Sequence, residues 1–337
     1  MGKMNKTNKI LCSISTKGRY HTFLPLAIQS VISQTRKPDL LIIYDDNDTP
    51  EDMRNFPVYQ QLFKLMDLKN IKWEWQFAEK KGQHFNHQKA NEKAAKEGYD
   101  FVWRVDDDNA PEPQVLEKLE EAMHLHPTAA AIGGAILTPN WDVTPRNATG
   151  KIKDIDNESN IQWGYIRKVK KVEHLHCSFL YRAGIYDYNL ALSKVAHREE
   201  TLFTYGIHQK GYDLFVIPYA TTWHFKSDTG GIRSTNNKEL YDHDEKIFRN
   251  FVGLEDTTVV VLDSGMGDHI VFKHVLPYIK NPEVYSCYPE IIPGKSIQEA
   301  KNKFGDIDQW NIYKKMDQWN WQDSLEKAFR KMYGVNK

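Results

Sequence analysis

Cysteine is scarce in this chain, and the spacing of Cys12, Cys177 and Cys287 suits neither a disulfide framework nor a zinc knuckle. A reducing, cytoplasmic setting is the expectation. Long apolar runs are missing too. Nowhere do 18 apolar residues follow one another, and the opening MGKMNKTNKILCSIS holds no apolar stretch of signal-peptide length. These absences predict a protein that is neither secreted nor membrane-spanning, in which the sequons at Asn5, Asn147 and Asn157 carry no sugar. No charge sign is in excess either: Lys plus Arg and Asp plus Glu number 45 each, which leaves no global field to draw in nucleic acid or anionic lipid. No internal repeat is found.

What is present describes a folded chain of enzyme size. Apolar residues make up 40% and charged residues 27%, enough to bury a core, and 337 residues accommodate a full domain plus an appended module. The expected division is 1–253 and 254–337. KILCSIS and DLLIIY read as buried strands, and Phe23, Leu24, Ala27, Ile28, Val31 and Ile32 keep helical spacing between them. Residues 51–66 read as a helix, Ile71, Trp73, Trp75 and Phe77 alternate as a strand, and a helix over 86–97 precedes the strand DFVWRV. The order βαβαβαβ predicts an α/β fold whose mostly parallel sheet is flanked by helices. Ligands of such sheets bind beyond the carboxyl ends of the strands, where the acids of 45–48 and 106–108 fall. Farther on, 140–170 reads as a polar surface excursion, 174–181 as a strand, 198–210 as a helix, 214–225 as one or two strands, and 238–250 as a helix.

Asp106, Asp107, Asp108 and Asn109 directly follow an apolar strand. Three successive carboxylates repel one another unless a cation or hydrogen-bond donors offset them. A divalent ion with hard oxygen ligands, Mg²⁺ or Mn²⁺, does so and can also bridge phosphates. A solvated acidic turn is the plainer alternative. The surrounding run ILCSISTKGRYHTFLPLAIQSVISQTRKPDLLIIYDDND, with Ser33, Gln34 and Thr35 after the helix and Asp45 and Asp46 after the strand, resembles the opening of family 2 glycosyltransferases. Asn91, 15 residues before Asp106 and 17 before Asp108, matches that family's spacing from a helix asparagine to its Asp-x-Asp motif. The resemblance covers residues 9–250 and implies a GT-A type fold and transfer of a sugar from a nucleotide donor, a UDP-sugar first of all. It places Thr16, Asp45 and Asp46 in the nucleoside pocket, with Asp46 accepting a hydrogen bond from the pyrimidine. It also places Asp106 at the ribose with Asp107 beside it, and Asp108 and Asp106 on the metal. Capping of the next helix by the acids of 45–48 is the alternative. Many members carry an arginine before the helix asparagine; here Ala90 stands there, and His84, His87 or Lys89 is expected to substitute.

An inverting transfer needs a base to take the acceptor hydroxyl proton. HREETLFTYGIHQKGYDLFVIPYA resembles the family's Glu-Asp motif, which opens a helix ending in Gly-Tyr, here Gly211 and Tyr212. Counting back from Gly211 points to Glu200 and from Leu202 to Glu199; Glu200 is preferred and both stay candidates. Two acids suit a helix N-terminus without any catalysis, which is the competing reading. His224 follows the next strand, where some related GT-A enzymes bring a histidine to the metal. The stretch KSDTGGIRS reads as a loop closing over the diphosphate, with Gly230 and Gly231 as hinge and Lys226 or Arg233 on phosphate. Trp163 and Trp223 are candidates to stack on a sugar or base.

The segment LDSGMGDHIVF is similar to the first strand, glycine turn and helix of heptosyltransferase-like GT-B enzymes. Gly265 and Gly267 permit the turn, while Asp268 opposes a phosphate there. Too little chain follows for a GT-B enzyme, so a small Rossmann-like accessory module is expected. The acceptor stays open among a glycan, a lipid-linked sugar, a protein and a modified nucleic-acid base. A sugar nucleotidyltransferase and a non-catalytic nucleotide-sugar or glycan binder are the rival readings.

Overall fold

The computed structural model describes residues 8–139, 145–152, 163–226, 230–231, 237–253, 258–262, 282–286, 294–296 and 298–299. By internal contacts the chain divides into two compact units, Met1–Val252 and Gly253–Lys337.

The first unit begins β1 (Ile10–Thr16), α1 (Leu24–Ile32), β2 (Leu40–Asp45), α2 (Pro57–Leu68), β3 (Lys72–Phe77), α3 (Gln83–Lys96) and β4 (Phe101–Asp106). β1 and β2 are buried at every position, and β4 at all but its last, as parallel strands covered on both faces must be. The helix expected over 51–66 is instead a short 3-10 turn, Met53–Asn55, followed by α2. Asp52 caps the turn by accepting from the Arg54 amide, and Phe56 is extended (φ −95°, ψ 134°) because the ring of Pro57 disfavours a helical residue before it.

The chain continues through β5 (Asn109–Pro111), α4 (Val115–Leu125), β6 (Ala129–Leu137), β7 (Arg146–Ala148), β8 (Trp163–Tyr165), β9 (Lys170–Val172) and β10 (Phe179–Arg182). It then runs through α5 (Glu199–Gln209), β11 (Asp213–His224) and α6 (Lys238–Val252). The sheet order is β3-β2-β1-β4-β10-β6-β11-β5. β3, β2, β1 and β4 are mutually parallel, β10 lies antiparallel between β4 and β6, β6 and β11 are parallel, and β5 returns antiparallel on β11. The expected strand over 174–181 is shorter, since Cys177 takes a left-handed φ of 59° that no strand accommodates. Residues 213–224 form one strand whose register slips between Ile217 and Thr221, around Pro218, which has no N–H for the ladder. The slip brings the Ala220 carbonyl so close to Gly134 that a Cβ there would lie 1.9 Å from it.

The helices cover both faces. α1, α2 and α4 supply Leu24, Ile28, Tyr59, Leu62, Leu116 and Leu119 to one apolar layer; α3 and α5 supply Ala90, Ala94, Phe203 and Ile207 to the other. Phe203 stacks on Tyr188 at 4.0 Å between ring centroids. Among the described residues, no helix is long and apolar enough to cross a membrane.

The second unit contains β12 (Thr258–Leu262), β13 (Pro282–Ser286) and β14 (Lys295–Ser296), paired parallel in that order. Gly265, Gly267 and Asp268 lie outside the described residues.

Candidate active site

Register alone gathers the first acids. β1 lies between β2 and β4, with Thr16 opposite Asp45 and Ser15 opposite Asp106, so three strands end together at one edge. The turn after β4 then enters β5, whose Asn109 pairs with His224. That pairing, reinforced by the Phe225 amide donating to the Asp108 carbonyl at 3.0 Å, carries the end of β11 to the acidic turn. His224 Nε2 lies 3.5 Å from Asp108 Oδ2. Both border a cavity of about 510 Å³, as do Ser15, Thr16, Lys17, Arg19, Asp46, Asp106, Asp107, His176, Lys194, Arg198, Glu200 and Lys226. Its size suits a ligand larger than a single sugar.

Beyond the ends of β1 and β2, Asp46 is 5% exposed; its Oδ2 accepts from the Gly82 amide at 3.1 Å, while Oδ1 and Thr16 Oγ1 are buried without a hydrogen-bond partner. Such groups are costly unless a ligand completes them. Burial pushes the Asp46 carboxyl above its ordinary range. Asp45 does not border the cavity: it accepts from Tyr20 Oη and from Asn47 Nδ2, and so braces the turn. His84 also lies away from it, 1% exposed, and burial lowers its pKa to about 4. His87 is held against Ser13 Oγ at 3.0 Å and Lys89 pairs with Glu79 on the surface; Gln83 of the same helix is the residue that reaches the cavity. Asn91 ties α3 to the turn after β10, donating to the Tyr186 carbonyl at 2.7 Å and accepting from the Gly184 amide at 2.8 Å.

The acidic triplet is held by cations. Arg19 pairs with Asp107 and, at 3.1 Å, with Asp108; Arg104, fully buried in β4, reaches Asp106 at 2.8 Å and Glu199 at 2.6 Å. Burial raises the pKa of Asp107 to about 6 despite Arg19, with Asp108 adding to the rise. Asp106 is raised by burial as well, against the pull of Arg104.

At the start of α5 the two glutamates part. Glu199 is 1% exposed, turned to Arg104 and to Gln83 Nε2 at 2.8 Å, and burial raises its pKa well above the carboxylate range. Glu200 faces the cavity and its Oε1 lies 2.8 Å from His176 Nδ1. Burial works to raise its pKa, yet His176 and Arg104 hold it well below the usual range, so it is ionised at neutral pH. The turn before α5 is tied down by Asp244 of α6, fully buried, which accepts from the Ser193 amide at 2.6 Å, Ser193 Oγ at 2.9 Å and the His197 amide at 2.9 Å.

The profile of glycosyl transferase family 2 matches residues 14–184, half of the chain. The chain belongs to glycosyl transferase family 2. Its fold is of the GT-A type. Two solved structures share this fold. GalNAc-T7 with UDP, GalNAc and Mn²⁺ is 13% identical, with a TM-score of 0.54 over 92% of this chain and 58% of that one. S. aureus TarS 1-349 with UDP-GlcNAc is 12% identical, with a TM-score of 0.51 over 96% of this chain and 81% of that one. Another structure of S. aureus TarS 1-349 is 14% identical, with a TM-score of 0.48; 74% of this chain covers 66% of that one, just under two thirds of its length. No curated protein sequence matches.

Of the residues singled out in this family 2 sequence, Thr16, Asp46, Asp106, Asp107, Asp108, Glu200, His224 and Lys226 come together around one cavity, while Asp45, His84 and Glu199 are packed behind it. Trp223 donates its indole N–H to Glu112 at 3.4 Å and does not border the cavity. Arg233 and the side chain of Trp163 lie outside the described residues. Sequence reasoning passed over Arg19, His176, Lys194, Arg198 and Arg104. For Arg104 a signal existed, because a charged residue inside the apolar strand FVWRV must have a buried partner.

Proposed function

We propose that this family 2 member is a glycosyltransferase, a metal-dependent, inverting enzyme that moves a sugar from a UDP-type donor to an acceptor hydroxyl. The observation that carries the reading is the convergence of Asp46, Asp108 and Glu200, far apart in sequence, on one cavity. Thr16 and Asp46, with their unpaired buried oxygens, would take the polar edge of the nucleoside. Asp108 and His224, with Asp106 beside them, would hold Mn²⁺ or Mg²⁺. Their 3.5 Å separation is close to the roughly 3 Å between neighbouring ligands of an octahedral ion with bonds of about 2.1 Å. Such an ion would offset the charge growing on the departing diphosphate.

Glu200, oriented by His176 and kept ionised, takes the acceptor's hydroxyl proton. The hydroxyl oxygen bonds to the anomeric carbon while the bond from that carbon to the diphosphate oxygen breaks, and the nucleoside diphosphate leaves with the electron pair. The two fold neighbours crystallised with UDP-GlcNAc and with UDP and Mn²⁺ support this choice of donor and ion. The cations Lys194, Arg198 and Lys226 on the remaining wall suit phosphate oxygens.

A thermal-shift series tests the reading. UDP and UDP-sugars with Mn²⁺ are expected to raise Tm and Asp108→Ala to abolish the rise; equal responses to every nucleotide, or none, would defeat it. The Arg19–Asp108 pair favours a second reading, in which guanidinium charge replaces the ion; turnover that survives chelation would select it.

A further inference from the structure

Besides its carboxylates, the cavity wall carries two histidines, His176 and His224, with the buried Cys177 against them. His176, Cys177 and His224 each offer one ligand atom, and the three atoms lie within 4.8 Å of one another. Two separate segments supply them: the residues leading into β10 and the end of β11. Cys177 is fully buried, with Sγ 3.4 Å from His224 Nδ1, and both histidines border the cavity.

We infer that His176, Cys177 and His224 form a further metal site, for Zn²⁺ or an ion of similar softness. Thiolate and imidazole prefer such ions, whereas Mg²⁺ and Mn²⁺ prefer the oxygen-rich end at Asp106 and Asp108. Tetrahedral zinc, with bonds of about 2.0–2.3 Å, sets its ligand atoms about 3.3–3.8 Å apart. The trio therefore needs to close by about 1 Å, a movement within reach of a rotating imidazole at the cavity wall. Three protein ligands with the cavity on the fourth side make an open site, not a closed structural one. Loading displaces the thiol proton to solvent.

The same histidines serve the acids: His224 Nε2 faces Asp108 and His176 Nδ1 holds Glu200. His224 meets Cys177 through Nδ1 and Asp108 through Nε2; a neutral imidazole has one lone pair, so an ion on Nδ1 leaves Nε2 protonated and unable to hold the ion at Asp108, and zinc at this site opposes sugar transfer. That consequence rests on the proposed function; the binding itself does not.

The test is a titration of the metal-free full chain with Co²⁺. One equivalent is expected to give a near-ultraviolet thiolate-to-cobalt absorption that one equivalent of Zn²⁺ bleaches. The band is expected to vanish in Cys177→Ser and persist in Cys12→Ser and Cys287→Ser. Zn²⁺ affinity in Cys177→Ser should fall at least about tenfold, the lower end of what losing even an outer-shell partner costs. No band in the wild type, or a band that persists in folded Cys177→Ser, overturns the inference. Should Cys177→Ser fail to fold, His176→Gln decides: weaker Zn²⁺ binding supports the site and unchanged affinity overturns it. None of these readings needs a nucleotide, so they stand even if no UDP-sugar is used. Loss of Mn²⁺-supported donor turnover on adding Zn²⁺ reads out the consequence separately.

Discussion

The parallel half of the sheet, β3-β2-β1-β4, and the mixed half, β10-β6-β11-β5, build opposite sides of the cavity by different means. In the parallel half the acids are simply the ends of buried strands, placed by register: Thr16 beside Asp45, Ser15 beside Asp106. In the mixed half His224 ends β11 and Glu200 opens α5, while Ala196 and Arg198 border the cavity from the irregular turn before that helix. Cys177, Ala196 and Arg198 have φ of 59°, 52° and 60°, a region that non-glycine residues seldom occupy. Such backbone persists only where surroundings over-determine it, here the Asp244 bonds to residues 193 and 197 and the buried Arg104–Glu199 pair. The side carrying Asp46 and the acidic triplet is thus fixed by local geometry and the side carrying Glu200 by long-range ties.

The largest test of that contrast is the pair of glutamates at the start of α5. Glu200→Gln is expected to lower kcat by about 10²–10⁴-fold, the usual share of a general base, while leaving UDP binding intact. Glu199→Gln takes from the buried Arg104 one of its two carboxyl partners, Asp106 remaining, and is expected to cost about 1–3 kcal/mol of stability by urea denaturation. Had the two a common role, both variants would fail alike; a stable but inactive Glu199→Gln beside an active Glu200→Gln would exchange the assignments.

The same contrast explains what could be read in advance. Strand alternation and strand-end acids are short-range signals, so the run from β1 to β4 was legible, and so were Asp46 and the triplet. Which of two neighbouring acids faces the cavity is not a short-range property. Asp45 turns to Tyr20 and Glu199 to Arg104 because of partners many residues away. The family resemblance makes His84 a candidate substitute for the arginine missing before Asn91, but its place on α3 faces the packed interior. Arg19 could not be found at all, since only the folded chain sets it against Asp107 and Asp108. In β11 the length was legible and the register slip at Pro218 was not, because that depends on the pairing with β6.

A smaller effect checks whether the mixed half carries the cost of its long-range ties. His174, 1% exposed, has both ring nitrogens without a hydrogen-bond partner, and burial lowers its pKa to about 4. The unfolded chain takes up a proton near pH 6.5 and the folded one only near pH 4. Its contribution is therefore fully present above pH 6.5 and is lost as the pH falls through that window. By pH 5 the loss from this one group is about 2 kcal/mol. Urea denaturation of His174→Leu and the wild type at pH 7.5 and pH 5 should show the difference moving by about that amount in favour of the variant. A difference that does not change with pH would mean that His174 is charged or solvated in the folded protein.

The two halves touch at a glycine contact, and the smallest expected effects lie there. Gly18, in the turn after β1, and Gly230, beyond β11, both have positive φ, and a Cβ on Gly230 would come within 2.8 Å of the Gly18 carbonyl and of Arg19 Cγ. The neighbouring Gly231 amide donates to the Lys17 carbonyl at 2.7 Å. Gly211 has a similar φ of 88° but open space around its would-be Cβ. Alanine at either position meets the same backbone penalty, about 1 kcal/mol. Gly211→Ala should stop there, with kcat and KM unmoved. Gly230→Ala must also push back the turn that holds Arg19 against the acidic triplet, so it should lose more stability than Gly211→Ala and raise the KM for the nucleotide sugar several-fold. If both variants behave alike in kinetics, the glycine contact has no bearing on the side carrying the acidic triplet and the two halves act independently.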